Sequence, residues 1–254
     1  MIRVLLLVLL LSPAVATAQT SDEVFDSRTL HDVHLYIHSG DLRELRERYI
    51  EDFYVPADFE WRGIRVRNVG VRVRGLASRS AIKLGLRIDF NRYVAGQTFL
   101  GMVAVVLDNA LKDPSYVRER TSMAFIKRMG QPAPRESFGR VYINGAYEGL
   151  YALVEAVDSV FLTRELGDGL GYLFEHKFVG SFYGEFLGED YKPYKFRFAA
   201  QTHRMESDYT LYALIRELYR EVNQDVDSSW RERVGWLIDL NQVKEGTVQA
   251  HAVG

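Results

Sequence analysis

The sequence predicts an α+β chain, strand-rich in its first part and helix-rich in its second. Three observations predict it. Apolar and polar residues alternate over residues 33–38, 69–74 and 83–90, the period of a half-buried strand. Asn144-Gly145 sits between two β-type runs, and this dipeptide tolerates the positive φ angles of a type I′ hairpin turn. From residue 209 onward the apolar spacing becomes helical.

The elements follow in order. Arg3, an apolar run from Val4 to Leu11, the breakers Ser12 and Pro13, and Ala16-Thr17-Ala18 form the pattern of a secretory signal peptide cleaved after Ala18. The run is far short of the roughly 20 residues a membrane span needs, and no later stretch is long and apolar enough to leave a span after cleavage. Residues 19–30 form a leader, its polar start at 19–27 expected to be loose. Val33, Leu35 and Ile37 begin the first strand. Ser39 and Asp41 offer N-caps for a helix over residues 42–49. Strands are predicted at 59–66, 69–74 and 83–90. Asp113-Pro114 reads as a helix start, with Val117, Thr121, Ala124, Phe125 and Arg128 on one stripe and Gly130 ending it. The clearest hairpin joins 138–143 to 147–155. Asp158 caps a helix running to Leu166, residues 171–177 are extended, and 209–223 and 229–238 are helices.

Composition narrows the function. The chain of 254 residues has no cysteine, which excludes disulfides and thiolate zinc sites. Its formal net charge is -2 and no polybasic run occurs, so nucleic acid is not an expected partner. Fifteen tyrosines and fourteen phenylalanines suit a sheet-rich core. No Gly-x-Ser-x-Gly elbow, Walker loop or His-Glu-x-x-His motif is present, and no carboxylate spacing singles out a hydrolase pair. His31 points opposite to His34 and His38 on a strand, so the three do not share a metal and read as solvated.

Two places carry chemistry. Lys83 follows the loop Arg74-Gly75-Leu76-Ala77-Ser78-Arg79-Ser80, where Ser78 and Arg79 lie in a basic, glycine-containing turn of the kind that brings backbone amides to phosphate oxygens. Glu155 ends a strand whose two faces are both apolar, so its carboxylate needs a partner, for which Lys83 is a candidate.

The order of these segments resembles the N-terminal region of the spore-coat protein H (CotH) kinase family. The resemblance rests on Val71-Arg72-Val73-Arg74-Gly75, Lys83 with Arg87-Ile88-Asp89-Phe90, Asp113-Pro114-Ser115 with Val117-Arg118-Glu119, Gly130-Gln131-Pro132-Ala133-Pro134, and above all the continuous run from Val141 to Glu155. It implies a protein-kinase-like two-lobed fold over residues 31–254, incomplete at its C-terminus, with only part of the helical second lobe. It further implies that Lys83 contacts nucleotide phosphates and pairs with Glu155, as lysine and glutamate do in kinases generally, and that Arg118 faces the nucleotide. ATP and a divalent metal such as Mg are the implied cofactors, and a secreted or surface protein is the implied substrate.

The family's catalytic-loop aspartate and asparagine and its Pro-Trp-Asp motif have no match here, so no catalytic base or metal ligand is assigned. The expectation is an exported CotH-type atypical protein kinase, truncated before its catalytic segment and inactive as this chain. The alternative is a pseudokinase or non-catalytic envelope module on the same scaffold, with Tyr183, Tyr191 and Tyr194 as ring platforms for a ligand.

Overall fold

Alternation decides which side of each strand is buried, and the strands wrap until the buried sides face one another. The computed structural model describes residues 19–177, 179–227 and 229–235; residues 1–18, read above as a signal peptide, and 236–254, including the end of the helix expected at 229–238, lie outside them. The described chain opens with one helical turn, α1 (Ser21–Val24), and strand β1 (Leu30–Ile37). Helix α2 (Ser39–Glu47) is followed by β2 (Val55–Trp61), β3 (Ile64–Val73), β4 (Leu86–Asp89) and β5 (Ala104–Asp108). Helix α3 (Arg118–Arg128) leads to the hairpin β6 (Glu136–Ile143) and β7 (Ala146–Glu155). These seven strands close into a barrel in the order β1-β2-β3-β4-β5-β7-β6. Closure comes from β1 pairing parallel with β6, while the other pairs are antiparallel.

The barrel interior is the main core. Val33, Leu35, Phe59, Trp61, Val71, Leu86, Ile88, Leu107, Val141 and Tyr151 are all essentially fully buried there. Phe59 packs edge-on against Phe90 and Phe99, and Trp61 against Phe99. Burial of such rings is the dominant favourable term in a cysteine-free chain.

Past the barrel come α4 (Ser159–Leu166), β8 (Phe174–His176), α5 (Lys192–Arg197), β9 (Phe198–Ala200), α6 (Asp208–Val222) and α7 (Trp230–Gly235). Strands β8 and β9 form a separate two-stranded sheet. A second core gathers Tyr194, Phe198, Leu211, Tyr212 and Ile215. The predicted order, strands first and helices after, is therefore observed. No helix of the described residues is long and apolar enough to cross a membrane.

Several expectations are corrected. The strand read at 59–66 is two strands, because Arg62-Gly63 is a turn with φ of 45° and 79°. The short apolar strand β5 was not foreseen. Helix α2 is capped by His38, whose ring nitrogen accepts from Gly40 N–H, and not by Ser39 or Asp41. Helix α3 begins at Arg118, four residues beyond Pro114, and the Asp113 carboxylate caps it there by accepting from Arg118 N–H at 2.7 Å. Its predicted apolar stripe faces away from the barrel. Val117, Thr121, Ala124, Phe125 and Arg128 are exposed, whereas Met123 and Ile126 are half-buried and Arg120 lies over the Phe138 ring.

The leader is docked. Val24 and Phe25 are buried, Val24 C=O accepts from Ser137 Oγ at 2.6 Å, and Phe25 carries the Arg135 guanidinium over its ring. His31 is also buried, tilted against Trp61, and burial lowers its pKa. The odd positions of β1 are the inward ones, which puts this histidine inside with Val33 and Leu35.

Candidate functional site

The loop between β3 and β4 is held from two sides through its carbonyl oxygens. The Arg46 guanidinium on α2 donates to Ala81 C=O at 3.0 Å and Ile82 C=O at 2.8 Å, and grips the Glu148 carboxylate with two bonds of 2.9 and 2.8 Å. Asn109, one residue past β5 and buried, donates to Ser78 C=O at 3.0 Å and Lys83 C=O at 2.8 Å. Gly75, at φ 105°, lets the loop close on itself, since a Cβ there would stand 2.5 Å from Ser78 Oγ.

The amides of the same loop are not held. Among the described residues, no acceptor within the protein meets the backbone N–H groups of Leu76, Ala77, Ser78, Arg79, Ser80 or Ala81. Backbone donors need a partner, so these six are left to water or to a ligand.

Lys83 stands at the end of this loop. Its stem crosses Gly149, where a Cβ would come within 3.2 Å of Lys83 Cε. The ammonium donates to Leu150 C=O at 2.6 Å, Asn109 C=O at 2.9 Å and the Tyr116 hydroxyl at 3.0 Å. It also lies 4.6 Å from the Tyr151 ring and 4.8 Å from the Tyr116 ring, in cation–π range. All three of its N–H donors are thus engaged. Gly149, inside the hairpin strand predicted at 147–155, is the residue that admits the lysine. Its φ of 125°, next to the irregularity where β7 carries Glu148 as an extra residue opposite Val141 and Tyr142, is what could have signalled a special role.

The expected pairing of Lys83 with Glu155 is not present. Glu155 is buried and bonded to two arginines: Arg135 at 2.7 Å and Arg164 at 2.5 Å, with Arg135 N–H adding a third bond of 3.0 Å. Burial pushes the Glu155 carboxyl up, but the bonds from Arg135 and Arg164 outweigh it and its pKa lies below the ordinary value. The reason is positional. Lys83 reaches β7 at Leu150, five residues from Glu155 along a strand that rises about 3.3 Å per residue.

Arg79 also turns inward. Its guanidinium donates to Gly75 C=O and Ile50 C=O at 2.6 Å each and to Asp52 at 2.5 Å. It braces the loop and presents no free fork to an anion. Ser78 contributes its carbonyl to Asn109. Arg118 is exposed at the start of α3 and donates to Lys112 C=O. The structure thus brings Ser78, Arg79 and Lys83 into one loop-centred network, and leaves Glu155 and Arg118 outside it. Among the described residues no group of three or more His, Asp or Glu side chains is arranged to hold a metal ion.

Chain comparison decides the family. A family model described as "CotH kinase protein" matches residues 71–243, more than half of the sequence. The chain belongs to the CotH kinase family. A curated relative, the inner spore coat protein H of Bacillus subtilis (strain 168), is 34% identical over 136 residues, covering 53% of this chain and 36% of that protein. The chain thus spans about a third of that relative's length. Both the loop at 74–83 and the β6–β7 hairpin lie inside the CotH match, so the network around Lys83 falls in the part that defines the family.

Proposed function

We propose that this chain is the phosphate-binding, N-terminal portion of an exported CotH-type kinase, with the barrel as the first lobe of a kinase-like fold and the helices from α4 onward as the start of the second. In full, such a protein would transfer phosphate from ATP to Ser or Thr of a secreted or surface protein. The observation that carries this is the division of hydrogen bonds in the loop at 74–83. Its carbonyls are tied down by Arg46, Arg79 and Asn109, its amides at 76–81 have no acceptor among the described residues, and the loop leads into Lys83. Free amides next to a cation suit phosphate oxygens.

ATP fits at the level of its phosphates: amides 76–81 and Lys83 would hold them, supplying charge neutralisation. A divalent metal has no such match, so no step is assigned to it. Phosphoryl transfer needs carboxylates that bind metal and a group that orients the hydroxyl, and no described residue is assigned either role. Export rests on the pattern of residues 1–18.

The test is calorimetric titration of the full chain with ATP and with tripolyphosphate. Saturable binding that disappears in Lys83→Met is expected; an unaltered affinity in that variant would sink the reading. Export is checked by fusing residues 1–18 to a reporter enzyme active only outside the cytoplasm.

The second reading, a non-catalytic envelope module on the same scaffold, is favoured by one observation: the three donors of Lys83 are already engaged within the protein. Its aromatic platform needs revision. Tyr183 is exposed, but Tyr194 is fully buried with its hydroxyl bonded to Leu187 N–H, and Tyr191 packs against the second core.

A further inference from the structure

The three acceptors around Lys83 are not equivalent. Leu150 C=O belongs to β7, where Leu150 is held in the ladder by its pairing with Arg140 of β6. Asn109 C=O follows β5 directly, and the Asn109 side chain is bonded on the far side to Ser78 and Lys83 carbonyls. Neither can withdraw without breaking the barrel or the loop. The third acceptor, Tyr116, is a side chain on the turn before α3. Its backbone N–H bonds to Asp113 C=O, and its φ is 60°, a left-handed conformation that a bulky residue seldom adopts.

Tyr116 is also the weakest acceptor of the three in chemical terms. Its hydroxyl is neutral and donates to no acceptor among the described residues, so its one polar contact is the bond received from Lys83. A phosphate oxygen carries charge and makes a shorter, stronger bond to an ammonium. The amides at 76–81 lie on the loop whose Ser78 and Lys83 carbonyls Asn109 ties together, and Asn109 C=O also receives the ammonium, so an anion bound on this loop would draw on both.

We infer that the Tyr116 hydroxyl holds the place at Lys83 that a phosphate oxygen takes, so that tyrosine and phosphate exclude one another and the site carries its own plug. This rests on the phosphate-binding reading above and adds to it a regulation. A bond from Lys83 is broken and another formed, with no covalent change, and the turn from Asp113 to Val117 moves when the exchange occurs. Because that turn runs straight into α3, occupancy of the loop is reported at the helix start.

The experiment is titration of the full chain with tripolyphosphate, without metal, for the parent, Tyr116→Phe and Lys83→Met. Removing one hydroxyl that competes for a charged group should tighten binding about tenfold in Tyr116→Phe, the scale of a hydrogen bond to an ion. Lys83→Met should bind nothing. If the parent binds and Tyr116→Phe binds equally or more weakly, the plug is wrong and the phosphate site stands. If neither the parent nor Tyr116→Phe binds, both are wrong. Hydrogen exchange on the unaltered chain gives a second readout that needs no variant. On saturation, amides at 76–81 should slow and those at 115–118 should quicken; slowing at both places would overturn the plug.

Discussion

Glu155 and Arg135 hold each other twice, through a guanidinium–carboxylate bond of 2.7 Å and through the Arg135 backbone N–H at 3.0 Å to the same carboxylate. Arg164 completes the set from α4 at 2.5 Å. The carboxylate therefore joins the end of β7 to the segment before β6 and to the first helix beyond the barrel. Its role is to fix that junction.

Glu155→Ala is accordingly expected to cost about 3–5 kcal/mol, because it strands two half-buried guanidinium groups. The pH dependence follows from the lowered pKa. The stability contributed by Glu155 is present above the ordinary glutamate value and lost as pH falls from there through the lowered one. Denaturant titrations between pH 3 and 7 on parent and Glu155→Gln measure it. Glu155→Gln should lack this acid loss, and a Lys83→Met chain that lacked it equally would restore the lysine–glutamate pair that the geometry denies.

Glu136 predicts the opposite slope. It is buried at the start of β6, and neither carboxylate oxygen has a hydrogen-bond partner among the described residues. Burial first, and then the charges of Glu119, Asp108 and Asp113 against that of Arg120, push its pKa up to about 8. Such a group keeps its proton in the folded state over a range where the unfolded chain releases it. The stability this gives is full below the ordinary value of 4.5 and is lost as pH rises toward 8. Glu136→Gln should be more stable than the parent at pH 8 by on the order of 3 kcal/mol, and nearly equal to it at pH 4. Thermal melts at the two pH values decide; an equal difference at both would rule out the titration.

Gly149→Ala tests the passage under Lys83. The new Cβ would stand 3.2 Å from Lys83 Cε in a backbone at φ 125°, so both space and conformation oppose it. A loss of about 2 kcal/mol is expected, together with weaker tripolyphosphate binding. Gly145→Ala, with nothing near its Cβ but a φ of 84°, supplies the control. It should be destabilised by turn strain and bind as the parent does.

Much of this was legible because it is local. The β6–β7 hairpin follows from Asn144-Gly145, whose φ values of 52° and 84° are those the turn demands. Helix α4 follows from Asp158, which accepts from Val160 N–H at 2.9 Å, and ends at Gly167 in the left-handed region. What stayed hidden is non-local. The β1–β6 closure joins residues more than a hundred positions apart, and Asn144 assists by bonding both the N–H and the C=O of Ile37. The partners of Glu155 were hidden for the same reason. Arginines 135 and 164 lie on either side of it in the chain and carry no periodic mark, whereas Lys83 had a motif to attract the eye. The face of α3 was misjudged because the sheet beneath it presents Glu136 and Phe138, so Arg120 is drawn inward ahead of Phe125.

The docked leader gives the last prediction. Residues 19–27 were read as loose from their polarity, yet Val24 and Phe25 are 2% and 6% exposed and belong to the barrel core cluster. Three contacts beside them, Ser137 with Val24, Arg135 with Asp22 and Arg62 with Glu23, tie the segment to β6, its approach and the β2–β3 turn. Phe25→Ala should therefore cost about 3 kcal/mol, the range for removing a buried ring, while Arg28→Ala, on the exposed side, should stay within about 0.5 kcal/mol. Urea titrations of the chain beginning at Gln19 measure both. Equal midpoints for the two variants would return the leader to a loose tail.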